Sequence, residues 1–121
     1  MVPTGNDRGV EGFIVALAQH GVAAVRQDPA VTFDLTPVSG ALAGQVVPSG
    51  VSVSELAPWP DAPPHWIHFL DTVTIQPTNV DQTECLPGWR RHSRDLKGWA
   101  TSDDPGAAWL AHVRGVLADA R

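Results

Sequence analysis

Cys85 is the only cysteine among 121 residues, and its neighbours Asp81, Gln82, Thr83 and Glu84 place it in a polar loop and not in an apolar run. With no second cysteine an internal disulfide cannot form, so the side chain is either packing filler or a reactive thiol. The polar surroundings favour the thiol. A thiolate attacks an activated carbonyl and leaves when a second nucleophile arrives, which divides acyl transfer into two accessible steps. Arg90, Arg91 and His92 follow closely and would lower its pKa, whereas Glu84 beside it pushes the other way. His65, His68 and His112 can be grouped with Cys85 as zinc ligands on paper. Histidines three apart in a strand point to opposite faces, however, and no second cysteine pair supports such a site. No metal or other cofactor is therefore expected. Trp59, Trp66, Trp89, Trp99 and Trp109 read as core and turn packing, given the area each ring buries.

The elements that must position Cys85 come from periodicity. Val10, Phe13, Ile14 and Leu17 recur at helical spacing, with Asn6 as the expected cap and Gly21 as the stop. Val31, Phe33 and Leu35 alternate with Thr32 and Asp34, the pattern of a half-buried strand, and 22–26 is expected to pair before it. Residues 45–47 and 51–56 are expected to be strand segments joined through a turn at Pro48-Ser49-Gly50. Beyond the proline-rich stretch 57–64, residues 65–70 read as another strand with Ile67 and Phe69 on one face. From Asp71 to Thr101 periodicity is lost, and the segment reads as a long functional loop. Asp104 caps a final helix with Pro105 in its first position and Trp109, Val113, Val116 and Leu117 on one face.

Bulk properties narrow the function classes. At 12.9 kDa the chain fits one domain, residues 1–121, that hides roughly two-thirds of its unfolded surface. A 43% hydrophobic and 17% charged composition is that of a folded domain. The formal charge of -5 and the absence of a basic run argue against nucleic acid as a partner. The longest apolar stretch is far below the roughly 20 residues needed to cross a bilayer, so no membrane partner is expected. The N-terminus lacks a secretory signal pattern, which implies a cytoplasmic location.

Two segments carry a family resemblance. WPDAPP, Trp59 to Pro64, resembles the aromatic-Pro-x-x-Pro-Pro signature that leaves the last strand of ubiquitin-conjugating enzymes, and Cys85 lies twenty-six residues beyond Trp59, close to the family spacing. LPGWRRHSRDLKGW, Leu86 to Trp99, is similar to the corresponding stretch of prokaryotic E2-like proteins encoded beside E1-like and deubiquitinase-like genes. The resemblance spans about Gly9 to Ala120. It implies an α+β ubiquitin-conjugating (UBC-like) fold: an N-terminal helix, a four-stranded antiparallel meander, a long active-site loop and a C-terminal helix. The further C-terminal helices of eukaryotic members are not expected, since the chain ends at Arg121. The His-Pro-Asn motif of eukaryotic members is matched loosely by Gln76-Pro77-Thr78-Asn79, with glutamine for histidine and one residue inserted.

What the resemblance implies is a transferase in which Cys85 accepts a ubiquitin-like protein from an E1-like activating enzyme as a thioester. Cys85 then passes it to a target protein amine, in a bacterial operon of the antiphage defence type. Asn79 would donate to the oxyanion, a contribution of roughly 2.7 to 4 kcal/mol when well placed. His92 or Asp95 would deprotonate the incoming lysine. The competing readings are a catalytically silent E2-variant or RWD-like binding module in which Cys85 is incidental, and an unrelated small α+β domain. In both, His92, Ser93, Arg94 and Asp95 only cap turns and pair across the loop.

Overall fold

The computed structural model describes residues 7–75, 79–99 and 104–121. The chain runs α1 (Gly9–Ala18), β1 (Ala24–Gln27), β2 (Ala30–Leu35), β3 (Val47–Ser52), a 3-10 helix (Val53–Leu56), β4 (Trp66–Leu70), β5 (Val80–Asp81), β6 (Trp89–Ser93) and α2 (Pro105–Ala118). This is an α+β arrangement. Among the described residues the strands form one antiparallel sheet in the order β1-β2-β3-β4-β6-β5.

The core face follows from strand alternation. Val31, Phe33 and Leu35 are buried while Asp34 is exposed, and the register carries the same face through Val51 on β3 to Ile67 and Phe69 on β4. Both helices supply apolar stripes to this core: Phe13 and Leu17 from α1, then Trp109, Leu110, Val113 and Leu117 from α2. Phe13 is the aromatic hinge of the cluster, with its ring edge-on to Phe33 at 5.9 Å, Trp59 at 5.0 Å and Trp109 at 6.3 Å. The proline-rich turn is fastened to the same place. Trp59 is fully buried, its carbonyl accepts from Gly9 N at 3.0 Å, and Trp99 Nε1 donates to Pro60 O at 2.9 Å.

The α2 cap is as expected, since the Asp104 side chain accepts from Ala107 N at 3.0 Å and Pro105 opens the helix. At α1 the cap position is Arg8, and the expected cap Asn6 lies outside the described residues. Gly21 takes φ +76 three residues beyond the helix end, where glycine alone is unstrained. No helix among the described residues is long and apolar enough to cross a membrane.

Two expectations are corrected. Pro48-Ser49-Gly50 is not a turn, because residues 47–52 form one strand paired along its whole length with β2, and residues 53–56, expected as strand, form a 3-10 helix. Turn-forming residue types are overruled here by pairing. Pro48 is tolerated because the β3–β4 pairs are Ser49 with Phe69 and Gly50 with His68, so its missing N–H is not called on by β4. Gly50 fits because a Cβ there would lie 3.0 Å from Val31 O.

The second correction concerns strand number: in place of the expected four-stranded meander, the sheet has six strands among the described residues. Residues 71–101 are not one irregular loop: they contain β5 and β6, and β6 pairs with β4 over Trp66–Ser93 to Leu70–Trp89. The alternation was hidden because outward Arg91 and inward His92 are both polar residue types.

The outer face of the sheet carries a polar row, His68 on β4 beside Arg91 on β6 and Asp81 on β5. His68 is fully buried, with Nε2 3.0 Å from Ser52 Oγ and no hydrogen-bond partner for Nδ1 among the described residues. Burial, reinforced by the nearby Arg91 charge, pushes its pKa down to about 4, so the ring is held neutral.

Two outcomes follow for stability. Between pH 6.5 and 4 unfolded chains take up a proton on His68 that the folded chain refuses, so stability falls as pH is lowered, by roughly 3 kcal/mol for this group. Urea denaturation at pH 7 and at pH 4.5 measures it, and an unchanged midpoint is the contrary result. Gly106 sits where α2 meets α1, and a Cβ there would lie 2.6 Å from Ala16 O. Gly106→Ala should cost about 1 to 3 kcal/mol in thermal melting. Gly115→Ala, with open space around it in the same helix, should gain up to about 1 kcal/mol.

Candidate functional site

Cys85 lies in the turn between β5 and β6 and is half-buried. Its amide donates to Gln82 O at 3.2 Å, which closes the turn. Glu84 beside it has φ 58, in the left-handed region that residues with a Cβ adopt uncommonly. Its carboxylate accepts from Ser54 Oγ at 2.9 and 3.0 Å, latching the turn to the 3-10 helix. Cys85 lines an open cavity of about 260 Å³ together with Gln82, Leu86, Pro87, Gly88 and Trp89. The sulfur therefore occupies a braced turn with access from solvent.

The electrostatics oppose a resting thiolate. Burial pushes the Cys85 thiol up to about 11, Asp81 and Glu84 push the same way, and Arg91 pulls against them. Of the basic residues expected to activate the thiol, only Arg91 acts in that sense, and its charge is already shared. Arg91 donates Nε to Asp81 Oδ1 at 2.6 Å and Nη2 to Asp81 Oδ2 at 3.3 Å. Its Nη1 is 3.8 Å from Glu84 Oε1, and its guanidinium lies 4.2 Å from the Trp66 ring centroid.

The other expected site residues are not gathered around the sulfur. Asn79 is exposed just ahead of β5, and its carbonyl accepts from Ser93 N at 2.9 Å. The register Val80–His92 and Asp81–Arg91 puts Asn79 at the base of the hairpin, whereas Cys85 is in its connecting turn. Residues 76–78, the rest of the motif that resembles His-Pro-Asn, lie outside the described residues. His92 pairs with Ile67 on the core face, is only 2% exposed, and packs its ring 5.7 Å from that of Phe69. Burial, with the Arg90 and Arg94 charges, lowers its pKa. A neutral, inward imidazole cannot meet an incoming amine in this arrangement.

Asp95 is exposed, with Oδ1 2.9 Å from His65 Nδ1, and His65 Nε2 is 2.5 Å from Ser93 Oγ. By type and spacing alone, His65 is only a zinc candidate and Ser93 only a turn cap. Nothing in the local sequence links them, because they lie 28 positions apart and meet only through the β4–β6 pairing. No three His, Cys, Asp or Glu side chains among the described residues are grouped so that they could hold a metal ion.

Compared with protein-family models, with curated proteins and with solved structures, the chain matches none.

The thiol environment makes a direct prediction. Iodoacetamide should alkylate Cys85 slowly at pH 7, and the rate should climb about tenfold per pH unit until the thiol titrates near pH 11. Glu84→Gln, which keeps an acceptor for Ser54 while removing a charge, should shift the profile to lower pH. Arg91→Ala should shift it higher. A profile centred below pH 8 would show that the thiol is activated in the free protein.

Proposed function

We propose that this chain is an E2-like carrier that takes a ubiquitin-like protein from an E1-like activating enzyme onto Cys85 and passes it to a target amine, within a bacterial conjugation system of the antiphage defence type. The observation that supports it most is the placement of Cys85, half-exposed in a turn latched by Ser54 and Glu84, beside an open cavity and twenty-six residues beyond the buried Trp59. The order of elements, helix, strands β1 to β4, a cysteine-bearing segment and a final helix, supports this reading, in which the β5–β6 hairpin would take the part of the active-site loop.

The chemistry is two successive acyl exchanges. Cys85 Sγ attacks the thioester carbonyl held by the activating enzyme, an S–C bond forms, the enzyme's thiolate leaves, and the Cys85 proton passes to it or to solvent. An amine of the target then attacks the same carbonyl, expelling the Cys85 thiolate. A thiol held near 11 is a poor spontaneous nucleophile, so in this reading activation comes with docking of the donor, whose basic groups would supply the positive field that Arg91 spends on Asp81 and Glu84. In this reading Asn79 and His92 support the hairpin and Asp95 pairs with His65, none of them acting at the sulfur.

The raised thiol pKa also favours a second reading, an RWD-like or silent E2-variant module that binds the same partners without carrying anything. One experiment separates the two. Incubated with the E1-like enzyme, the ubiquitin-like protein and ATP, the chain should gain an adduct that is cleaved by reductant and absent in Cys85→Ala. Cys85→Ser should trap a reductant-resistant ester. An adduct that persists in Cys85→Ala, or the absence of any adduct while the partners still bind, establishes the binding module.

A further inference from the structure

At the base of the hairpin three side chains are aligned in the order of a serine nucleophile, its base and the group that orients the base. Ser93 Oγ is 2.5 Å from His65 Nε2, and the opposite ring nitrogen, Nδ1, is 2.9 Å from Asp95 Oδ1. Such a constellation is recognised by which atom faces which, irrespective of chain order or fold. All three groups are reachable: the His65 and Asp95 side chains are 42% and 72% exposed, and Ser93 is half-buried.

The histidine is also held in place. Its amide donates to Glu55 Oε2 at 3.1 Å, its carbonyl accepts from Arg94 N at 3.0 Å, and its ring meets Trp66 edge-on at 5.5 Å. Ser93 sits at the end of β6, opposite Trp66, with its own amide tied to Asn79 O. Ser93 is thus the last residue of β6, and His65 immediately precedes β4, fixed there by its amide and carbonyl hydrogen bonds to Glu55 and Arg94. Cys85 lies in the turn between β5 and β6, and the register Val80–His92 and Asp81–Arg91 puts Ser93 at the opposite end of that hairpin. This is a second site and not part of the first.

We propose that Ser93, His65 and Asp95 form a serine-based acyl-transfer site that accepts activated esters. Ser93 Oγ attacks the ester carbonyl, an O–C bond forms, and its proton moves to His65 Nε2, with Asp95 holding the tautomer. The C–O bond to the alcohol then breaks and the alkoxide takes that proton from His65. Water attacks the Ser93 ester in turn, giving its proton to His65 and releasing the acid as Ser93 Oγ is reprotonated. The main-chain amides of Ser93 and Arg94 are already engaged with Asn79 O and His65 O, so they cannot form an oxyanion hole. That deficit restricts the substrate class to esters with good leaving groups and leaves amides unreacted.

The test uses the full chain carrying Cys85→Ala, so that no thiol contributes and the outcome is independent of the thioester reading. An alkyl fluorophosphonate should add one phosphonyl group, with fluoride released, and peptide mass spectrometry should place it on Ser93 and not on exposed Ser54. The rate should fall about a hundredfold in His65→Gln and at least tenfold in Asp95→Asn, the range expected of general-base assistance. Hydrolysis of p-nitrophenyl acetate should fall in parallel in those variants and in Ser93→Ala. Circular dichroism confirms that each variant is folded, and Asp95→Asn changes only an exposed side chain. No adduct on Ser93, or one formed as fast in folded His65→Gln and Asp95→Asn, overturns the proposal.

Discussion

The pairing of β4 with β6 is the constraint on which every candidate site in this chain depends. Five successive pairs, from Trp66–Ser93 to Leu70–Trp89, carry the chain back alongside a strand it left at Leu70. Without them the segment after Ile75 would have no register, and there would be no reason for a particular residue to face the core or solvent. With them, His92 is directed inward against Phe69, Arg91 is directed outward beside His68, and Ser93 comes within reach of His65. The turn that presents Cys85 is what remains between the two strands of the resulting hairpin.

Arg91 decides the electrostatic character of that hairpin. Its guanidinium serves Asp81, approaches Glu84 and lies on Trp66, so its charge is largely compensated before it reaches the sulfur. Desolvation of Cys85 then outweighs what attraction is left, and the thiol is held protonated. The same cation disfavours protonation of His68 on the neighbouring strand. One residue therefore ties the edge strand to the sheet and helps to keep His68 neutral, while its pull on Cys85 is too weak to offset desolvation of the thiol.

Much of the scaffold was legible in the sequence, and the reasons differ by element. The helical stripe at Phe13 and Leu17, the alternation at Val31, Phe33 and Leu35, and the Asp104-Pro105 start of α2 each express a period or cap within a few residues. The strand at 47–52 was not legible, because Pro48 and Gly50 have turn preferences that are overruled only by partners on other strands. Strands β5 and β6 failed for a related reason: inward His92 and outward Arg91 give no hydrophobic contrast. Cys85 could be singled out by type and setting. That Asn79, His92 and Asp95 would stand away from it could not, since their separation is a property of hairpin register.

The two borders of the sheet are unequal. β5 is two residues long, and its Asp81 is clasped by Arg91. It offers too few free amides to template another strand. β1, at the opposite border, presents four residues including Val25, which is 53% exposed, with only the local Arg26–Asp28 ion pair interrupting an otherwise uncharged strand. Growth by strand addition, whether with a peptide or with another copy, is thus geometrically confined to Ala24–Gln27, on the far side of the sheet from Cys85. A molecule engaged along that border would leave the sulfur uncovered.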